Sequence, residues 1–170
     1  FNVSAQDIVF YFENDEANKP LTGGTLNITT AGSGVTNDWA SNRFEGLTTS
    51  SFDITGITGV GSITGTISAS SGNLNLTNSG LADGSSGFNS VGEGVSFSFS
   101  TDVTITMFDY SGFTSADSVE LYIDDTSLGT YTDDTITASA NFTNPNNVSL
   151  SLDLAAGEIL NMTYLGGAYH

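Results

Sequence analysis

Apolar side chains in this chain recur at every second position, with Ser or Thr between them. The clearest run is Val95-Ser96-Phe97-Ser98-Phe99-Ser100. Successive side chains of a strand point to opposite faces, so this segment presents three large apolar groups on one side and three hydroxyls on the other. The same period appears at Val103-Ile105-Met107, Val119-Leu121-Ile123, Ile136-Ala138-Ala140-Phe142, Val148-Leu150-Leu152 and Leu160-Met162-Tyr164. No segment carries the 3.6-residue spacing of an amphipathic helix. Between the runs stand Ser111-Gly112, Asp124-Asp125, Asp133-Asp134, Asn144-Pro145-Asn146-Asn147 and Ala156-Gly157. These residue types bond their own backbone or reach left-handed conformations, and they predict turns.

The N-terminal half predicts strands at Thr25 to Thr29, Ser51 to Ile57, Ser62 to Ser68 and Leu74 to Thr77. Ile8-Val9-Phe10-Tyr11-Phe12 is nearly continuous in apolar residues, which predicts a central strand covered on both faces. The stretch from Gly56 to Gly65 reads as two short strands and a tight turn, because it lacks the aspartates of calcium-binding nonapeptide repeats. Asn78 to Gly94, with five glycines, reads as a long loop rather than a linker, since neither half alone offers enough strands to close two sheets. The expected fold is all-β: an antiparallel two-sheet sandwich, jelly-roll-like, with roughly eleven or twelve strands. A single domain spans 1–170, and a chain of 17.6 kDa buries roughly two-thirds of its unfolded surface without disulfide staples.

Charge narrows the range of partners. Nineteen acidic residues face two basic ones, Lys19 and Arg43, giving a formal charge of -17 although charged residues make up only 12% of the chain. The imbalance comes from missing Lys and Arg rather than from a dense acidic coat, which favours a secreted or marine-type protein over an obligate halophile. Binding to DNA or RNA needs cations to neutralise phosphates, so nucleic acid is excluded as a partner. No apolar run approaches the roughly 20 residues of a membrane helix. The chain contains no cysteine, and its wealth of Ser, Thr, Asn and Gly points to an extracellular or cell-surface setting. A start at Phe1-Asn2-Val3-Ser4 suits a mature product after signal removal.

Catalytic chemistry finds little material. Glu120 and Asp124 share a strand face with Tyr122 between them, as in a sugar-cleaving strand. Four residues along one strand separate them by about 13 Å, beyond the roughly 5 to 9.5 Å of hydrolytic carboxylate pairs. No catalytic residue is nominated, and glycoside hydrolysis or lyase activity ranks third among the functions considered. Acidic turns offer hard oxygen ligands of the kind Ca²⁺ prefers, namely Asp15 and Glu16, Asp124 and Asp125, and Asp133 and Asp134. The alternative is that these are solvated turn residues. Zinc lacks ligands here.

Trp39 stands in a polar stretch with Asn37, Asp38, Asn42 and Arg43, and Tyr122 is an aromatic neighbour to acidic groups. Trp39, Arg43 and Tyr122 are therefore the candidates for a Ca²⁺-dependent carbohydrate-binding surface; the alternative is that Trp39 plugs one end of the sandwich. Six Asn-x-Ser/Thr sequons, at Asn2, Asn27, Asn75, Asn141, Asn147 and Asn161, exceed chance too little to mark glycosylation.

From Gly94 onward, the runs Val95 to Thr106, Asp117 to Asp124 and Leu154 to Leu160 resemble exported bacterial surface proteins of the PEP-CTERM, exosortase-sorted type. The resemblance implies an extracellular, matrix-associated β-sandwich and transfers no site residues. The family's Pro-Glu-Pro sorting motif does not occur within these residues, as expected where the sorting tail is removed by processing. The leading expectation is a non-enzymatic structural subunit of a filament, sheath or surface layer, self-associating through strand edges. Phe1 and Val3 at one end, and Tyr164, Leu165 and Tyr169 at the other, are the residues expected to be held by strand addition to a neighbour.

Overall fold

The computed structural model describes residues 9–10, 21–22, 25–28, 35–36, 47–57, 61–77, 80–83, 88, 90–111, 117–132, 137–138 and 145–167. These residues are all-β and antiparallel, arranged in a sandwich-like fold. The strands are β1 (Val9–Phe10), β2 (Leu21–Thr22), β3 (Thr25–Ile28), β4 (Val35–Thr36), β5 (Thr49–Thr55), β6 (Ile63–Ala69), β7 (Leu74–Thr77) and β8 (Gly80–Asp83). They continue with β9 (Gly94–Phe99), β10 (Val103–Ser111), β11 (Ser118–Ile123), β12 (Thr126–Thr132), β13 (Thr137–Ala138), β14 (Pro145–Leu154) and β15 (Ile159–Gly166). Four of these fifteen are two-residue ladders, leaving eleven of four residues or longer, in line with the sequence pattern.

Eight strands form one sheet in the order β12-β11-β15-β9-β6-β5-β3-β4, so both halves of the chain build it. A second sheet runs β10-β14-β13, and β1-β2 and β7-β8 are separate pairs. Register explains why the large sheet has one apolar face. Ile54 pairs with Ile63, Ile67 with Phe97, Phe97 with Leu160, Val95 with Met162, Met162 with Leu121, and Tyr164 with Val119. Because each pairing joins two inward-facing residues, the inward groups of five strands, β5, β6, β9, β15 and β11, coincide. Phe52, Ile54, Ile63, Ile67, Val95, Phe97, Val119, Leu121, Met162 and Tyr164 form one buried cluster. From outside this sheet Leu74 of β7 and Ile57 join the cluster, and Phe88 packs on it.

Gly65 allows the aromatic residues of that face to meet. Phe52 and Phe99 are its cross-strand partners on either side, and their rings touch edge-on at 6.3 Å and 72°. A Cβ on Gly65 would run into the Phe52 ring. Glycine normally weakens a strand, and here the ring lying over it restores the lost packing.

Several sequence expectations change. Val9–Phe10 pairs with Leu21–Thr22 in a two-stranded ladder and not inside the large sheet, because an apolar run reports burial without specifying its neighbour. The expected loop at Asn78 to Gly94 contains β8, which pairs with β7 from Leu74↔Asp83 to Thr77↔Gly80. Asn144 to Asn147 was expected to turn, but β14 begins at Pro145, a strand-initial position where the missing N–H costs no ladder bond. Strand β12 has no sequence signature because a bulge between Leu121 and Tyr122 sets Leu128 outside the pairing with β11. That extra residue breaks the two-residue period.

The packing over Gly65 yields a stability prediction. Gly65→Ala should lower unfolding free energy by about 1–3 kcal/mol, the usual cost of overpacking a filled core. Phe52→Leu should lose less in the Gly65→Ala background than in the parent, and urea titration of all four proteins measures the difference.

Candidate functional site

Three polar groupings stand out among the described residues. The first is buried at the end of β11 and β15. Asp117 is 2% exposed, and the Tyr164 hydroxyl donates to its Oδ1 at 2.8 Å. Burial, then the hydrogen bond and charge of Asp117 and the charge of Glu93, push the Tyr164 hydroxyl up to about 12. The turn before β9 clamps the same strand: the Gly92 N–H donates to the Tyr164 carbonyl at 2.9 Å, and the Tyr164 N–H donates to the Glu93 carbonyl at 2.7 Å. Gly167 lies directly against Asp117, where a Cβ would collide with the carboxylate.

The second grouping is on the outer face of the large sheet. Glu120 accepts from the Ser127 hydroxyl at 2.6 Å, and this bond, with a second from Tyr122, holds its carboxyl below the usual carboxylate range. The bond to Glu120 raises the Tyr122 hydroxyl in turn. Asp124 follows in the β11–β12 turn with φ 49°, a left-handed value that Asp tolerates. Its carboxylate accepts from the Ile159 N–H at 3.1 Å, and its carbonyl accepts from the Asn161 side chain at 3.2 Å. These contacts tie the turn to β15.

The third is an open depression of about 400 Å³ lined by Asp102, Val103, Thr104, Asp153, Leu154, Ala155 and Glu158. Each of its carboxylates accepts a hydrogen bond within the fold. Thr104 donates to Asp153 at 2.7 Å, the Ala156 N–H to Asp102 at 2.9 Å, and the Ala155 N–H to Glu158 at 2.7 Å. The acids therefore shape the β14–β15 turn. Among the described residues, no three His, Asp or Glu side chains gather as a metal-ligating group.

Of the residues nominated from sequence, Tyr122, Asp124, Asp125, Tyr164 and Leu165 are described, whereas Phe1, Val3, Asp15, Glu16, Trp39, Arg43, Asp133, Asp134 and Tyr169 lie outside the described residues. Tyr122 and Asp124 fall near one another through the turn and β15, and Asp125 is exposed beside them. Tyr164 and Leu165, expected to be held by strand addition, lie in β15 of the large sheet. Strand β15 pairs with β11 over Leu160 to Gly166 and with β9 over Ile159 to Thr163, and Leu165, at the register shift against β11, is exposed. Tyr164 itself is buried in the core. Sequence reasoning missed Asp117, although it lies two residues before the inward Val119, and period two alone would have placed it on the buried side.

Comparison of the chain with protein-family models, curated proteins and solved structures returns no match. Among the described residues no helix is long and apolar enough to cross a membrane.

The buried pair predicts a pH response. The Tyr164 hydroxyl is raised from 10.0 to about 12 in the folded state. The stabilisation linked to its protonated form is therefore complete below pH 10 and disappears as pH rises towards 12. Thermal melts at pH 9 and pH 11.5 should show a larger drop for the parent than for Tyr164→Phe. At neutral pH, Tyr164→Phe should cost about 1–3 kcal/mol, because a buried carboxylate loses one of its donors.

Proposed function

We propose that this protein is a non-enzymatic extracellular structural protein, a subunit of a filament, sheath or surface layer that assembles through the edges of its β-sheets. The observation that carries this reading is β12. Among the described residues it ends the eight-stranded sheet, pairing with β11, and Thr126, Ser127, Leu128 and Thr130 are exposed. A terminal strand presents a row of backbone donors and acceptors to an incoming strand. Strand β12, Thr-Ser-Leu-Gly-Thr-Tyr-Thr, carries no charge in a chain of formal charge -17. Two copies repel wherever carboxylates meet, so an uncharged edge is where they approach at least cost.

The outer face of the large sheet supports the same reading. Its ladders place hydroxyl residues opposite one another: Thr49 bonds Ser68 at 3.0 Å, and Thr66 stands across from Ser98 in the register. Thr64 donates to Asp53 at 2.7 Å. Side chains bonded to one another make a stiff, hydrated surface, which suits a load-bearing or coating element. The resemblance of the chain from Gly94 onward to exported bacterial surface proteins adds the extracellular setting.

Electrostatics sets the condition for assembly. Repulsion between subunits is screened beyond about 8 to 10 Å at physiological ionic strength, so added NaCl or CaCl₂ should strengthen association. Light scattering and negative-stain electron microscopy across an ionic series should show larger species or ordered polymers as salt rises. A monomer at high concentration in every condition, Ca²⁺ included, refutes the proposal.

A further inference from the structure

We infer that the outer face of the large sheet, where β11, β15 and β9 lie side by side, binds a neutral β-1,4-linked polysaccharide laid across the strands, with Tyr122 as its stacking platform. The inference stands apart from the assembly reading, since it needs only one copy of the chain. Alternation along β11 turns Glu120 and Tyr122 to the face opposite the buried Val119 and Leu121. The Tyr122 hydroxyl bonds Glu120, two residues back on the same face, and the Ser127 hydroxyl donates to that carboxylate at 2.6 Å. A hydroxyl anchored in that direction lays the ring along the strand, with one face on the sheet and the other to solvent, and Tyr122 is accordingly half-buried.

Beside the ring stands an apolar neighbour. Asn161 of β15 pairs with Tyr122, and Ile159, two residues earlier on the same face of β15, is 43% exposed. Diagonal cross-strand positions on one face are within reach of an aromatic side chain. Ring and aliphatic chain together make an apolar spot on a face otherwise built of hydroxyls, next to Ser96 and Ser98, the β9 partners of Asn161 and Ile159. A pyranose has the complementary surface, with C–H bonds on its flat faces and hydroxyls round its edge. Its C–H face lies on the electron-rich ring while its hydroxyls reach the Asn161 amide and the two serines.

Register extends the site into a row. It runs from Tyr122 through Asn161 and Ser96 to Ser68 and Thr49, one polar side chain on each of five strands. Neighbouring strands are about 4.8 Å apart, so the row spans about 19 Å. An extended β-1,4-linked chain advances by nearly the strand spacing per sugar, and laid along this row it meets one hydrogen-bonding group per residue. Charge selects against acidic glycans. Strands β6, β9 and β15 carry no charged side chain, whereas Glu120 flanks the row in a chain of formal charge -17, so a uronic acid or sulfated polymer is repelled and a neutral one is not.

Calorimetric titration of the whole chain with cellohexaose, xylohexaose and chitohexaose, with polygalacturonate as the acidic comparison, tests the site. At least one neutral hexasaccharide should bind and polygalacturonate should not. Tyr122→Ala, checked for folding by circular dichroism, should weaken binding about tenfold, and Tyr122→Phe, which keeps the ring, should weaken it less. Amide NMR of the parent, which does not depend on any variant folding, should show glycan-induced shifts at Tyr122, Asn161, Ser96 and Ser98. The inference is overturned if none of the three hexasaccharides binds, if Tyr122→Ala binds as well as the parent, or if the shifts lie elsewhere. Shifts at this face that follow protein concentration instead of added glycan would give the face to a second copy, and would equally overturn it.

Discussion

The rest of the structure depends on matched parity across the strands of one sheet. Five strands bring their inward side chains into line, and Phe52, Gly65 and Phe99 face one another across three of them. A slip of one residue in any strand would turn its apolar set to water and its hydroxyls into the core. The cluster from Phe52 to Tyr164 is thus both the product of register and the reason register holds. With no cysteine, and with charges that repel more than they pair, burial of this face supplies the cohesion.

The outer side of the same sheet follows from the inner. Once alternate residues are committed to the core, the remaining ones are Ser, Thr, Asn and a few acids, and they satisfy one another through bonds such as Thr64 to Asp53 and Ser127 to Glu120. Several acidic groups hold turns: Asp124 secures β15, and Asp102 and Glu158 secure the turn after β14. Among the described residues β12 ends the large sheet beside β11, and like β6, β9 and β15 it carries no charged side chain.

What was legible in the sequence was the pattern that burial imposes. Val95-Phe97-Phe99, Val119-Leu121 and Leu160-Met162-Tyr164 announce their strands and their inward faces because large groups must alternate to share one core. Strands without that obligation stayed hidden. Strand β8 is four residues beginning at glycine, and β12 is interrupted by Leu128, so neither shows a period. Pairing partners were equally hidden, since alternation says which way a side chain points and nothing about the neighbouring strand. The place of β15 between β11 and β9, both distant in sequence, was one such hidden pairing. Asp117 shows the reverse case: the period places it on the buried face, and the Tyr164 hydroxyl that satisfies it there comes from a strand far away in sequence.

Amide hydrogen exchange resolved along the chain tests the shared-face account most directly. If one apolar face organises the molecule, amides of β6, β9 and β15, paired on both sides and carrying the core, should exchange slowest and together, with β12 and the β7–β8 pair opening at lower free energy. Slowest exchange in β12 or in β7–β8, or uniformly fast exchange through β9 and β15, would contradict it.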